Sequence, residues 1–173
     1  ISNHQALFDI PILHTAFQKQ WPRFVAKQEL AHWLPSVSYN LRKGGNGVID
    51  RSNPRQAIPE LQALAARMCA GRFGVVIFPE GTRARDGELK AFRSTGLSTL
   101  IQNAPEARIF PVVIENSWIL SARKFGAVPL GLTVKVRTLS EIDRSGLNAK
   151  EIVQKSEEVI RQGLLDLRQE NTA

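Results

Sequence analysis

The sequence predicts an α/β fold: a single domain with a central mixed sheet flanked by helices. Three observations carry this expectation. Short apolar runs alternate with stretches of helical periodicity along the chain, the pattern of strands interleaved with helices. The 173 residues suffice for one core, since a domain of this size buries roughly 70% of the surface its unfolded chain exposes. No internal repeat, interdomain linker or low-complexity segment interrupts them.

In chain order, residues 1–9 read as a strand end and a turn. Asp9 before Ile10-Pro11 reads as a helix start, because Asp caps exposed N–H groups and Pro is tolerated in a first turn. Ile10, Leu13, His14 and Phe17 continue at helical spacing. Pro22 breaks that pattern, and Phe24-Val25-Ala26 reads as a short buried strand. Residues 27–34 can form a short helix ending before Pro35. This region mixes Lys19, Trp21, Arg23, Phe24, Lys27, Trp33 and Leu34. Two readings of it stand: a membrane interface, or a core edge with solvated charges. Leu41–Gly47 is a basic glycine-rich loop, and Val48-Ile49 a short strand closed by Asp50-Arg51.

Ser52 or Asn53 caps the next helix, with Pro54 at its start. Ala57, Ile58, Leu61, Leu64, Ala65 and Met68 form its apolar face, and Pro59 should delay or kink it. Cys69 reads as a small core residue beside Met68. Gly71 ends the helix. Gly74–Phe78 is a continuous apolar run and reads as the central strand. A polar loop over 80–90 precedes a helix through Leu97, Leu100 and Ile101. Arg108–Glu115 and Leu132–Arg137 read as strands. Asn148 caps a last helix with the apolar line Ile152, Val153, Val159, Ile160, Leu164 and Leu167, slightly weakened by Gly163.

Composition narrows the function. The net charge is +7, which suits an anionic lipid surface, an acidic protein or nucleic acid. The basic residues form no block, and zinc-finger, basic-zipper and RNP1-like strings are missing, so no nucleic-acid partner is expected. A single cysteine excludes an intrachain disulfide. No apolar run reaches the length of a membrane span. The chain opens on Ile1 rather than Met and enters its first motif at once. The expectation is one domain over 1–173 that lacks its N-terminal segment.

The chemistry concentrates in two stretches. In Asn3-His4-Gln5-Ala6-Leu7-Phe8-Asp9, histidine is the side chain that works as a general base near neutral pH, and a carboxylate can fix its tautomer. The spacing aligns poorly on a helix but suits a turn that folds Asp9 back onto His4. The competing reading makes Asp9 a helix cap and His4 a loop residue. Asn3 can brace the turn through its side chain. In Phe78-Pro79-Glu80-Gly81-Thr82-Arg83, the motif follows an apolar strand, where α/β folds bind ligands. Gly81 admits close approach of backbone to ligand. Arg83 can grip a phosphate through two parallel hydrogen bonds. Glu80, repulsive to phosphate, is expected to hold a substrate hydroxyl or orient an arginine. Arg51 and Lys27 follow two further strands and can converge with Arg83 on one dianion, or stand as solvated surface charges. Walker, dinucleotide, zinc and serine-elbow patterns are missing.

Taken together, these stretches resemble the glycerolipid acyltransferases. Asn3-His4 through Asp9 matches their NHxxxxD block, and Phe78–Arg83 is FPEGTR in full. Gly47-Val48-Ile49-Asp50-Arg51 is similar to their second block, with Ile49 in place of the common phenylalanine. Ile109–Ile114 resembles their fourth. The resemblance implies a glycerolphosphate acyltransferase-like fold and direct acyl transfer to 1-acyl-glycerol-3-phosphate without an acyl-enzyme. His4 would deprotonate the acceptor hydroxyl with Asp9 supporting it. Arg51, Arg83 and Lys27 would hold the phosphate, with Glu80, Gly81 and Thr82 shaping the acceptor site. The family's lysine before a glycine corresponds to Arg93 before Gly96. No cofactor is implied, acyl-CoA or acyl-carrier protein being the co-substrate. The implied setting is the cytoplasmic face of an anionic membrane, with acyl-carrier protein as a further partner. A thioester hydrolase, an acyltransferase acting on another lysolipid, and a non-catalytic lipid- or carrier-binding module are the alternatives.

Overall fold

Helices and strands are interleaved along the chain, and the parallel strands are too short to stand without helices beside them. The structure is a computed structural model and describes residues 1–29, 39, 41, 43–71, 73–122 and 130–170. Its elements are α1 (Asp9–Ala16), a 3-10 turn (Gln18–Gln20), β1 (Arg23–Lys27), β2 (Gly47–Ile49), α2 (Pro54–Gly71) and β3 (Val75–Val76), followed by α3 (Ser94–Asn103), β4 (Val112–Glu115), α4 (Ile119–Ala122), β5 (Lys135–Thr138) and α5 (Ala149–Gln169). The chain divides into two compact units. One comprises Ile1–Ile12, Phe78–Arg93 and Arg108–Ala173; the other comprises Leu13–Ile77 and Ser94–Ala107.

The second unit holds a parallel sheet in the order β2-β1-β3, with α2 and α3 as its helices. Buried Phe24, Val25 and Ala26 put β1 at its centre. Gly74–Phe78 was the expected centre; among the described residues it supplies instead the two-residue β3, paired only to β1 and half-buried. Apolarity alone does not separate the middle of a parallel sheet from its margin. Gly47 is required at the start of β2, because a Cβ there would lie 2.7 Å from Leu64 of α2.

Helix α2 starts at Pro54 and runs through Pro59 to Gly71. Pro59 and Arg55 lie on its exposed side, so the Arg55 carbonyl, for which Pro59 offers no N–H, can reach water. Cys69 is exposed, not the core residue its apolar neighbours suggested. Of the expected helix over 27–34, Lys27 ends β1 and Gln28-Glu29 form a turn instead, and the remainder, with Trp33 and Leu34, lies outside the described residues.

The first unit is built on the antiparallel pair β4–β5, with Val113 opposite Arg137 and Ile114 opposite Val136. Helix α5 covers this pair: Ile160, Leu164 and Leu167 pack with Val113, and Leu89, Phe92 and Leu139 close around them. Asn148 starts α5 with a capping box, its side chain accepting from Lys150 and Glu151 N–H while the Glu151 side chain accepts from Asn148 N–H. Ile1 and Ser2 run alongside β4, which delivers the next residues to the site.

Candidate active site

The site begins with a buried carboxylate. Asp9 is the first residue of α1 and is fully buried, while the His4 side chain keeps 12% exposure. Asp9 Oδ2 accepts from three donors: His4 Nδ1 at 2.8 Å, Gln5 N–H at 2.6 Å and Ala6 N–H at 2.9 Å. Its Oδ1 accepts from the Ser117 hydroxyl at 2.5 Å. The carboxylate therefore reaches back over the preceding turn and does not cap the helix ahead of it. An ionised carboxylate only accepts, so the proton on His4 lies on Nδ1 and the Nε2 lone pair is left for a proton. The imidazole also stacks on Phe78, centroids 4.1 Å apart and planes at 18°.

The second motif hangs on the same histidine. Glu80, 2% exposed, accepts from His4 N–H at 2.6 Å and from Lys90 N–H at 3.0 Å, one with each oxygen. Ala84 N–H donates to the His4 carbonyl at 2.7 Å. Both sides of the His4 backbone are thus tied to the Glu80–Ala84 turn, and Arg83 sits within it. Both Glu80 oxygens serve backbone groups, so Glu80 joins the two motifs. Burial pushes its carboxyl up to about 7. The N–H groups of His4 and Lys90 and the Lys90 charge pull it down, and the Asp9 charge raises it.

Gly81 takes φ +70°, and a Cβ there would meet the Arg93 side chain at 3.1 Å. Thr82 is exposed and Arg83 half-buried. Lys90 Nζ donates to the Arg83 carbonyl at 2.8 Å, which braces the turn from outside.

Lys27 and Arg51 belong to the second unit. Lys27 ends β1 opposite Ile49, and Asp50-Arg51 follows β2, so both cations leave the same end of the parallel sheet. Lys27 pairs with Glu29 at 2.7 Å, both side chains well exposed. Asp50 is held below the usual carboxylate range by the Ser52 side chain and backbone N–H. Of the expected site residues, His4, Asp9, Glu80, Gly81, Thr82 and Arg83 share the first unit; Lys27 and Arg51 share the other.

Sequence reading missed an inner layer of polar residues. Asn3 bonds both backbone groups of Ile114, Nδ2 to the carbonyl and N–H to Oδ1, each at 2.8 Å. It was expected to brace its own turn; it stitches that turn to β4 instead. Buried Gln5 donates to Glu115 Oε2 at 3.1 Å and accepts from Ser117 N–H at 3.1 Å. Glu115 in turn accepts from Arg168 of α5 at 3.1 Å. One signal was available: Glu115 closes an apolar run, and a carboxylate there needs partners if buried. Nothing local says which ones.

The model of the family described as Acyltransferase matches residues 1–115. The chain is 30% identical over 154 residues to 1-acyl-sn-glycerol-3-phosphate acyltransferase beta of Homo sapiens, covering 88% of this chain and 53% of that protein. It is 32% identical over 117 residues to the 1-acyl-sn-glycerol-3-phosphate acyltransferase of Helicobacter pylori, covering 68% of this chain and 48% of that one. It therefore spans about half the length of the curated relatives it matches. Among solved structures, it resembles the 1-acyl-sn-glycerophosphate (LPA) acyltransferase PlsC of Thermotoga maritima, with a TM-score of 0.73 and 25% identity over 96% of this chain and 64% of that one. By its matched residues and its fold, the chain belongs to the Acyltransferase family.

Proposed function

We propose that the chain carries the acyl-transfer centre of a 1-acylglycerol-3-phosphate O-acyltransferase. It would move a fatty acyl group from an acyl thioester, acyl-CoA or acyl-carrier protein, to the free hydroxyl of 1-acyl-glycerol-3-phosphate and yield phosphatidic acid. The observation that supports this most is the His4–Asp9 pair, whose carboxylate is buried and saturated with donors while the ring nitrogen opposite it is left as a base.

In this reading His4 Nε2 takes the acceptor hydroxyl proton as the oxygen attacks the thioester carbonyl. The tetrahedral intermediate collapses, the C–S bond breaks, and the imidazolium returns its proton to the departing sulfur. Asp9 stabilises the transient imidazolium without itself taking the proton. Arg83 would grip the acceptor phosphate, with Lys27 and Arg51 as further cations for it and Gly81 and Thr82 beside it. Glu80 keeps the phosphate turn in register with the base. Orientation of two bound substrates supplies much of the rate. The net charge of +7 favours an anionic membrane surface at the cytoplasmic face, and equally an acidic carrier protein. Among the described residues no helix is long and apolar enough to cross a membrane.

The test offers lysophosphatidic acid with each donor in turn and analyses the products. Phosphatidic acid is the expected product, and loss of about 10²–10⁴-fold in turnover is expected for a folded His4→Ala chain, the range for a general base. Free fatty acid without acylated lipid would replace the reading with a hydrolase. Parent-like turnover in His4→Ala would remove His4 from the chemistry.

A further inference from the structure

Ser117 lies outside the two motifs and just beyond the matched residues 1–115. It is fully buried, and its place in the fold is constructed. Strand β4 ends at Glu115; Asn116 then takes φ 72°, a left-handed turn that Asn tolerates better than most residues. The turn aims Ser117 back into the first unit before α4 begins, and Ser117 O accepts from Leu120 N–H at 3.1 Å. The hydroxyl has one proton and two acceptors in reach: Asp9 Oδ1 at 2.5 Å and Gln5 Oε1 at 3.2 Å. The charged, nearer acceptor takes the proton.

The amide of Gln5 cannot be turned to offer a donor to Ser117 instead. Its Nε2 faces two acceptors, Glu115 Oε2 at 3.1 Å and the Gly87 carbonyl at 3.4 Å. Its Oε1 faces the Ser117 N–H. Glu115 is held by Arg168, which also bonds Glu88 at 3.1 Å and the Gly87 carbonyl at 2.7 Å. A chain of hydrogen bonds therefore runs from α5 through Glu115, Gln5 and Ser117 to the outer oxygen of Asp9, opposite the one that holds His4.

We infer that Ser117 is a positioning residue for the acyl-transfer step: its hydroxyl holds Asp9 in the orientation that presents His4 as a base. The inference rests on the proposed role of His4. It acts through two effects. The bond fixes the carboxylate plane, and hence the ring it holds. It also draws charge toward Oδ1, away from the oxygen that faces the imidazole. The other charged groups around the chain of bonds are Glu80 on the His4 N–H, Lys90 beside Glu80, and Glu115, Glu88 and Arg168 behind Gln5. None of these bonds Asp9 Oδ1.

The experiment compares parent, Ser117→Ala, Ser117→Cys, Ser117→Thr and His4→Ala chains for kcat, acceptor KM and the pH profile of kcat/KM. Ser117→Ala is expected to lose about 10–100-fold in kcat, the worth of a hydrogen bond to a buried charge, with acceptor KM within about twofold. Its acid limb should move to higher pH, because an Asp9 carboxylate relieved of one donor holds the imidazolium more tightly. Ser117→Cys, close in volume but a weak donor, should show the same loss, and Ser117→Thr should recover most of it. If the alanine chain does not fold, the cysteine chain decides by the same two readouts. A folded Ser117→Ala or Ser117→Cys chain with parent kcat and an unmoved acid limb overturns the inference. If His4→Ala is inactive while Ser117→Ala matches the parent, only the positioning role fails. If His4→Ala is itself active, the proposed mechanism fails with it.

Discussion

Asp9 and Glu80 are both buried carboxylates, and their surroundings give them different tasks. Asp9 meets four donors, one of them the His4 ring, which carries charge during turnover in the proposed reaction. In Asp9→Asn the amide oxygen can keep the three donors at Oδ2, and its NH2 can turn to Ser117, whose hydroxyl accepts as well as donates. The variant should therefore fold, yet lose about 10²–10⁴-fold in kcat because the imidazolium loses its counter-charge; matched circular dichroism spectra and a turnover assay check both halves. Glu80 bonds two backbone donors, and burial lifts its carboxyl to about 7. A folded-state value above the unfolded one means the folded protein keeps a proton that the unfolded chain has released. Stability from this group is therefore full below about pH 4.5 and declines as pH rises to about 7, by on the order of 3 kcal/mol. Glu80→Gln cannot titrate. The parent's unfolding free energy relative to Glu80→Gln should fall over that interval and then level off, measured by urea unfolding at stepped pH. The pairing of His4 with Asp9 was legible because a short turn encodes it. Ser117 was not, lying 108 residues from its partner.

Helix α5 shows the same division among elements. Its cap and apolar line can be read directly from residues 148–167, because capping and helical periodicity are local. Gly163 cannot be read that way. By propensity it only weakens the helix, and alanine should improve it by about 1 kcal/mol. In the fold, a Cβ at 163 would lie 2.8 Å from Leu139 and 2.9 Å from Val113. Leu139 can swing aside, but Val113 is fully buried and stiff at χ1. Overpacking wins, so Gly163→Ala should destabilise by about 1–3 kcal/mol, read as a lower denaturation midpoint with unchanged m-value. A gain in stability would mean that α5 stands further from β4 than described. Strand β3 is the converse case: its apolarity pointed to the sheet centre, yet β1 holds that place.

Over the whole chain the dominant quantity is charge. A net +7 would draw the chain to an anionic surface through long-range attraction that salt screens, since the Debye length shrinks from about 10 Å at 0.1 M to about 3 Å at 1 M. Co-sedimentation with vesicles containing phosphatidylserine should be strong at low salt and fall by at least about tenfold toward 1 M, with little binding to neutral vesicles. Equal binding to both vesicle types would assign the attachment to apolar contacts such as exposed Trp21.

By itself the sequence determined the α/β class, the capped start of α5, the histidine with its carboxylate, and the glycine turn that carries Arg83. Each depends on residues within one turn or one strand of each other, where spacing sets geometry. Tertiary structure alone decided that Glu80 serves the His4 backbone, that Asn3 stitches to Ile114, and that Ser117, Gln5 and Glu115 stand behind Asp9. Burial obliges a polar group to find partners, but which residues answer is settled only when segments a hundred positions apart pack together.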